Sequence, residues 1–404
     1  EDGGVSVIIV DELARLYRLS GGQIFLDFAS SVVTHFPLVG KMRNTCRAPL
    51  MHAYTLLGIL GGIVDFLTVE NAPTELTWIE KIWEDLVARH LYPTGSLGYN
   101  ELIRLSAPND TPVENDQPDR HHQETCATVE WLLFNSRLYQ ATGRARYFQK
   151  MEQTIYNALL AAQSADGLNW MYYTPLRYEK HWFTGPTSCC YWSGPRGIAR
   201  LPEWVYAVDA EGIRVNLYES SEASFQIEGF AVTLKQFSLY PDAGKVTLEV
   251  QPEQPIRFIM RLRIPFVGSQ VHIRLNGCAT PTEPGADGCC CIQRTWLQGD
   301  LVEMEFDIPT AVEHFLDEHY GILRRGVEVL AVDQRDNSSL DIDKLALQKG
   351  MELKRMGALD GRRRYAGKTY VGNRLAQVIF TPYADCGGEG SRFRTAFPIR
   401  PMAK

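Results

Sequence analysis

Two stretches hold the residues most able to do chemistry. The first, "GPTSCCYWSGPRG" (Gly185 to Gly197), sets Cys189 and Cys190 side by side between Gly/Pro turns. The second, "HHQETCATVEWL" (His121 to Leu132), offers Glu124 and Cys126. An adjacent pair of thiols admits three readings: an oxidised pair, a metal site or a reactive thiolate. A disulfide between neighbouring residues is strained and ranks last. Three thiols and one carboxylate make a plausible tetrahedral zinc set, although the spacing follows no zinc-finger pattern. Glu124 and Cys126 lie two apart and cannot share a face of a regular helix. They converge only if they sit where a helix opens. The plain alternative makes Cys126 a small buried apolar residue and the Cys pair a structural turn. His121 and His122 read either as extra ligands or as exposed loop histidines.

Composition narrows the classes. The chain has 404 residues, 45% of them hydrophobic and 22% charged, with a net charge of -7. That is an ordinary globular balance with room for two or three domains. There is no basic stripe, which argues against nucleic acid as a partner. The longest apolar run, "LLGILGGIVDFL", is too short to span a membrane and carries Asp65. The nine cysteines are clustered, which favours metal or catalysis over a disulfide framework. The chain opens on "EDGGVSVIIVDELARLY", which already reads as a helix entering a fold. The expectation is that part of the fold lies upstream. Free thiols favour reducing surroundings, hence a bacterial cytoplasmic or periplasmic setting.

The elements that position these residues fall into two halves. Residues 1–207 read as helical. "VDELARLYRL" places Leu13, Leu16 and Tyr17 on one face, and "IFLDFASSVVTHF" repeats the spacing with Ile24, Phe28 and Val32. Four more helices are expected near 51–68, 75–90, 125–142 and 146–162. "RLYRLSG" (Arg15 to Gly21) and "RLYQATG" (Arg137 to Gly143) echo one another. Repeated helix–Gly–helix hairpins predict an (α/α) barrel, partial here because a full ring of six hairpins needs about twelve helices. After Ala207 the period falls to 2, as in "FAVTLKQFSLY", "KVTLEVQP" and "LVEMEFDIP". Residues 208–318 are expected to form an antiparallel β-sandwich, and 319–404 a second small β unit or a continuation. "ATPTEPGADGCCC" reads as a hairpin loop with Cys289, Cys290 and Cys291 an incidental cluster.

"ETCA" at Glu124 to Ala127 and "SCC" at Ser188 to Cys190 resemble the two signature motifs of glycoside hydrolase family 127, the β-L-arabinofuranosidases. Other stretches agree in order between residues 10 and 270: "LYRLSGGQIFLDFA", "HAYTLLG" from His52, "PTGSLGYNE" followed by "APNDT", "YNALLAAQSADG" and "GIRVNLYESSEA".

The resemblance implies Zn2+ held by Glu124, Cys126, Cys189 and Cys190, with Cys189 the nucleophile and Glu101 the general acid and then base. It implies His52 as a contact to sugar hydroxyls. The physics is coherent: a free thiol has a pKa of about 8.5, and zinc deprotonates it. The mechanism would retain configuration, with acid and nucleophile roughly 5–5.5 Å apart. The stretch between Glu101 and the ETC motif, "PVENDQPDRHH", is longer than in the family, so Asp110, Glu114 or Asp116 are rival acids. Trp170, Tyr172, Tyr173 and Trp182 flank the Cys pair as a sugar-stacking platform or as core. The function expected is hydrolysis of a terminal β-L-arabinofuranoside or similar sugar in a small oligosaccharide or glycoside, with a homo-oligomer left open. The rival is a non-catalytic carbohydrate-binding or structural zinc protein whose four ligands close the site.

Overall fold

The computed structural model describes residues 8–105, 121–182, 188–266, 270–281, 283–285, 287–315, 317–357 and 361–400. Helices come first. They are α1 (Ile9–Ser20), α2 (Gln23–His35), α3 (Pro37–Thr45), α4 (Ala53–Val69), α5 (Thr77–Arg89), α6 (Thr125–Thr142), α7 (Ala145–Thr154), α8 (Cys189–Ala199) and α9 (Leu201–Val205). Helix α7 runs on through a π turn at Ile155–Leu159. The repeated "RLY…G" pattern has a local cause. Gly21 and Gly143 both close their helices at φ 67, and their N–H groups return to Tyr17 O at 2.8 Å and Tyr139 O at 2.7 Å. A residue past a helix end can turn left-handed at little cost only if it lacks Cβ.

Helix α4 is apolar on nearly every face and lies at the centre, packed against α1 and α6. Each leucine or isoleucine it buries contributes about 1.5–3 kcal/mol. The face expected for α2 is corrected. Ile24 is 73% and Phe28 52% exposed, while Leu26, Ala29 and Val33 are buried. Leu16 on α1 is likewise 42% exposed. These helices carry apolar residues on two sides, and packing against α1 and α4 selects the side that periodicity cannot. Helix α8 also departs from expectation: the paired cysteines open a helix rather than sit in a loop. Pro195, Gly194 and Gly197 lie inside it, which is why its sequence reads as turn.

The continuous run of strands begins at Tyr206. A four-stranded sheet (Tyr206–Asp209, Gly212–Val215, Ile256–Arg263, Cys289–Trp296) and a six-stranded sheet share one core that includes Val232, Leu248, Phe258, Met260 and Trp296. Within these two sheets the expected all-antiparallel pairing is corrected in one place. Gly212–Val215 lies parallel to Ile256–Arg263, because the chain builds strands of the other sheet before it returns. Cys289, Cys290 and Cys291 begin a strand rather than fill a loop, and Cys290 belongs to the shared core.

A third sheet has ten strands. It starts with Thr310–Phe315, upstream of the break read at 319. At its edge it takes in Arg177–Tyr178 from the helical half, paired with Phe393–Arg394. A core of Tyr92, Leu176, Phe315, Tyr383 and Phe393 joins this sheet to the helices. The chain is thus a helical domain followed by β-sheet domains. No helix among the described residues is long and apolar enough to cross a membrane.

Candidate metal and active site

Three helix N-termini meet at one place. His52 holds the N-cap position of α4, Glu124 that of α6 and Ser188 that of α8. Of the three, the Ser188 side chain caps its helix, accepting from Tyr191 N–H at 3.3 Å. Helix N-termini carry partial positive charge, which favours carboxylates and thiolates there. With Glu124 at the cap and Cys126 in the first turn, the two side chains converge despite their spacing of two.

The ligand atoms of Glu124, Cys126, Cys189 and Cys190 all lie within 4.8 Å of one another. Those of His52, Glu101 and Glu124 do as well, so Glu124 is common to both groups. Cys190 Sγ lies 3.4 Å from Cys126 Sγ and 3.8 Å from Glu124 Oε1, and Ser193 Oγ lies 3.2 Å from Cys126 Sγ. Cys126, Cys190 and Glu124 are buried and Cys189 is exposed. No disulfide joins any of the nine cysteines, the adjacent pair included.

Electrostatics show what the cluster needs. Burial first, then the neighbouring Cys126 and Glu101 charges, push the Glu124 carboxyl up to about 8. Hydrogen bonding from Cys190 outweighs burial and draws Cys126 down to about 6. The bond to Cys126, with burial, raises Cys190, and burial raises Cys189. Four acidic groups crowded this closely resist joint ionisation without a cation. Glu124 Oε2 is also buried with no hydrogen-bond partner. With an orphaned carboxylate oxygen beside three thiols, the cluster can hold a metal ion.

Glu101 stands beside it. Its Oε1 receives both Tyr172 Oη at 2.8 Å and Tyr173 Oη at 2.9 Å, and His52 Nε2 lies 3.2 Å from Oε2. Partial burial works to raise its pKa, but the two phenols and then His52 outweigh it and hold the carboxyl below its usual range. Glu101 sits at φ 63, a left-handed conformation that costs about 1–3 kcal/mol. Its carbonyl, which accepts from Ala53 N–H at 2.6 Å, fixes that turn against the start of α4. The rival acids Asp110, Glu114 and Asp116 lie outside the described residues.

Other expectations are revised. Of the two readings of Trp170 the core one holds: it is 2% exposed and packs under α8, where a Cβ on Gly194 would come within 2.1 Å of its ring. Tyr172 and Tyr173 serve as donors to Glu101, and Trp182 is half-buried. His122 is buried rather than exposed, packed on Tyr92 and Tyr99, and His121 packs edge-on against Tyr173. Neither histidine belongs to a metal-capable group among the described residues, nor do Cys289, Cys290 and Cys291. Sequence reading missed Ser193 and Gln123. Ser193 follows Cys190 by one helical turn, a spacing that would have flagged it had α8 been read as a helix.

Fold and site together define a class: a helical domain carrying a Glu/Cys cluster, followed by β-sheet domains. The chain belongs to glycoside hydrolase family 127. Residues 6–203 match the family's β-L-arabinofuranosidase catalytic domain, and residues 212–308 match its middle domain. The chain is 23% identical over 269 residues to the non-reducing end β-L-arabinofuranosidase of Bifidobacterium longum, which is 61% of this chain and 40% of that protein. The matched part therefore spans well under half the length of this curated relative. Among solved structures, a GH127 β-arabinofuranosidase superposes with TM-score 0.83 at 23% identity, over 96% of this chain and 68% of that one. A GH127 β-L-arabinofuranosidase from Geobacillus stearothermophilus T6 gives TM-score 0.83 at 20% identity, over 97% and 72%. At these identities the two structures speak for the fold.

Proposed function

We propose that the chain is a retaining glycoside hydrolase that cleaves terminal β-L-arabinofuranosides or closely similar sugars. Glu124, Cys126, Cys189 and Cys190 would hold Zn2+, with Cys189 the nucleophile and Glu101 the acid/base. The observation that carries this is the exposure pattern of the cluster. Three of its members are buried, and Cys189 alone opens to solvent. A structural site closed by four buried ligands would have no such opening. The sugar is inferred from the names of the relatives. The same reading takes the helical array as part of an (α/α) barrel and the two sheets that share a core as a β-sandwich.

Zinc, when bound, would keep the thiols ionised at neutral pH. The chain's own groups divide the remaining work. Cys189 Sγ attacks the anomeric carbon as the glycosidic bond breaks, and Glu101, in the minor protonated form that its lowered pKa leaves at neutral pH, passes its proton to the departing oxygen. Glu101, now a carboxylate, takes a proton from water as that water displaces sulfur from the same carbon. Two inversions retain the configuration. His52 is partly exposed beside Glu101, where it can meet a sugar hydroxyl as well as the carboxylate.

The phenols on Glu101 make a testable link to pH. Each donor stabilises the carboxylate, so Tyr172→Phe removes stabilisation of the ionised form and raises the Glu101 pKa. The protonated acid then persists to higher pH. The alkaline limb of the kcat/KM profile should move up by about one unit. A limb that stays in place would assign it to another group.

The reading itself is tested by metal analysis beside hydrolysis of a chromogenic β-L-arabinofuranoside. One zinc per chain with turnover is expected, and no bound metal would sink the ligand assignment.

A further inference from the structure

Residues 309–404 lie beyond both matched family segments, yet one of their side chains reaches the frame of the cluster. Tyr383 opens the short turn Tyr383–Asp385 and is fully buried. Its hydroxyl donates to Pro175 O at 2.7 Å and receives Gln123 Nε2 at 3.2 Å. Gln123 is the residue before Glu124. It is itself fully buried and holds a left-handed turn at φ 55.

Every polar group described on the Gln123 amide is engaged. Nε2 also donates to Thr174 O at 2.9 Å, and Oε1 receives the Thr94 hydroxyl. On the other side, Pro175 ends the run Tyr172-Tyr173-Thr174, whose phenols hold Glu101. One phenol thus ties together the segment that aims Glu124 and the segment that holds Glu101. Lys180 locks the same corner: its Nζ donates to Tyr383 O and Ala384 O at 3.0 Å each, and its N–H to Gly387 O at 3.2 Å.

Resting on the function proposed above, we propose that Tyr383 is a positioning residue for the metal cluster, acting through Gln123 on Glu124. The third sheet is then a working part of the active site. A side chain that merely fills space would be replaced without loss by phenylalanine. Here the hydroxyl is what matters: without it Gln123 Nε2 keeps one acceptor of two, and the left-handed turn before Glu124 loses a restraint.

The test uses the full chain with zinc or cobalt(II). Tyr383→Phe should bind zinc about tenfold more weakly in competition with a chromogenic chelator. The thiolate-to-cobalt absorption band should shift, with Tm and circular dichroism close to the parent. Tyr365→Phe is the control: Tyr365 is buried in the third sheet, its hydroxyl 3.5 Å from Asp242 Oδ1, and this variant should keep parental affinity. Gln123→Met, which also gives up the bonds with Thr174 and Thr94, should weaken binding at least as much, and the double variant should be no weaker than Gln123→Met alone, because the Tyr383 hydroxyl acts through that amide. Parental affinity and spectrum in Tyr383→Phe would overturn the inference while leaving the zinc reading intact. If that variant does not fold, parental affinity in Gln123→Met overturns it. A parent chain that binds no metal would bring down both.

Discussion

Cys189→Ser should lower hydrolysis of a chromogenic β-L-arabinofuranoside by about 10^4-fold or more while metal remains bound. The loss is large because no other thiol of the cluster is exposed: Cys126 and Cys190 are buried behind it. A serine hydroxyl is a far weaker nucleophile, and residues that act as a unit fail together when one is removed. Metal should persist because Glu124, Cys126 and Cys190 stay in place, so zinc content by elemental analysis separates the chemical role from the structural one. Incubating the parent with a slow substrate should also trap a sugar on Cys189, read as a mass increase on the peptide that contains it. Turnover within tenfold of the parent would place the nucleophile elsewhere.

Glu101→Gln should cost about 10²–10⁴ in kcat, with a graded dependence on the leaving group. A departing alkoxide needs the full proton, whereas a nitrophenolate leaves with little help. The variant should therefore be most impaired on an alkyl glycoside and least impaired on an activated aryl glycoside. The amide keeps the size of the carboxyl and an oxygen for Tyr172 and Tyr173 to donate to, so the local turn should hold. Near-parental rates on both substrates would move the acid to another carboxylate, with Asp110, Glu114 and Asp116 the first to replace.

The grouping of three thiols and a carboxylate as one donor set was readable from the chain itself. Glu124, Cys126, Cys189 and Cys190 declare a thiolate-rich donor set because that chemistry resides in the side chains. The change from period 3.6 to period 2 near Ala207 marks where helices give way to strands, since each backbone sets its own repeat. The paired "RLY…G" echo is similarly local, a glycine turning left-handed after a helix.

What depends on distant partners was not readable. Ile24 and Phe28 match a buried stripe as well as Leu26 and Ala29 do, and only α1 and α4 choose between them. Trp170 became core because Gly194 leaves room for its ring under α8. Glu101 meets Tyr172 across 71 residues, and Gln123 meets Tyr383 across 260. Sequence by itself determined which atoms can do the chemistry. The tertiary structure decided which of them is open to solvent and what holds it there, because burial and hydrogen bonding across the fold belong to pairs of residues rather than to either one alone.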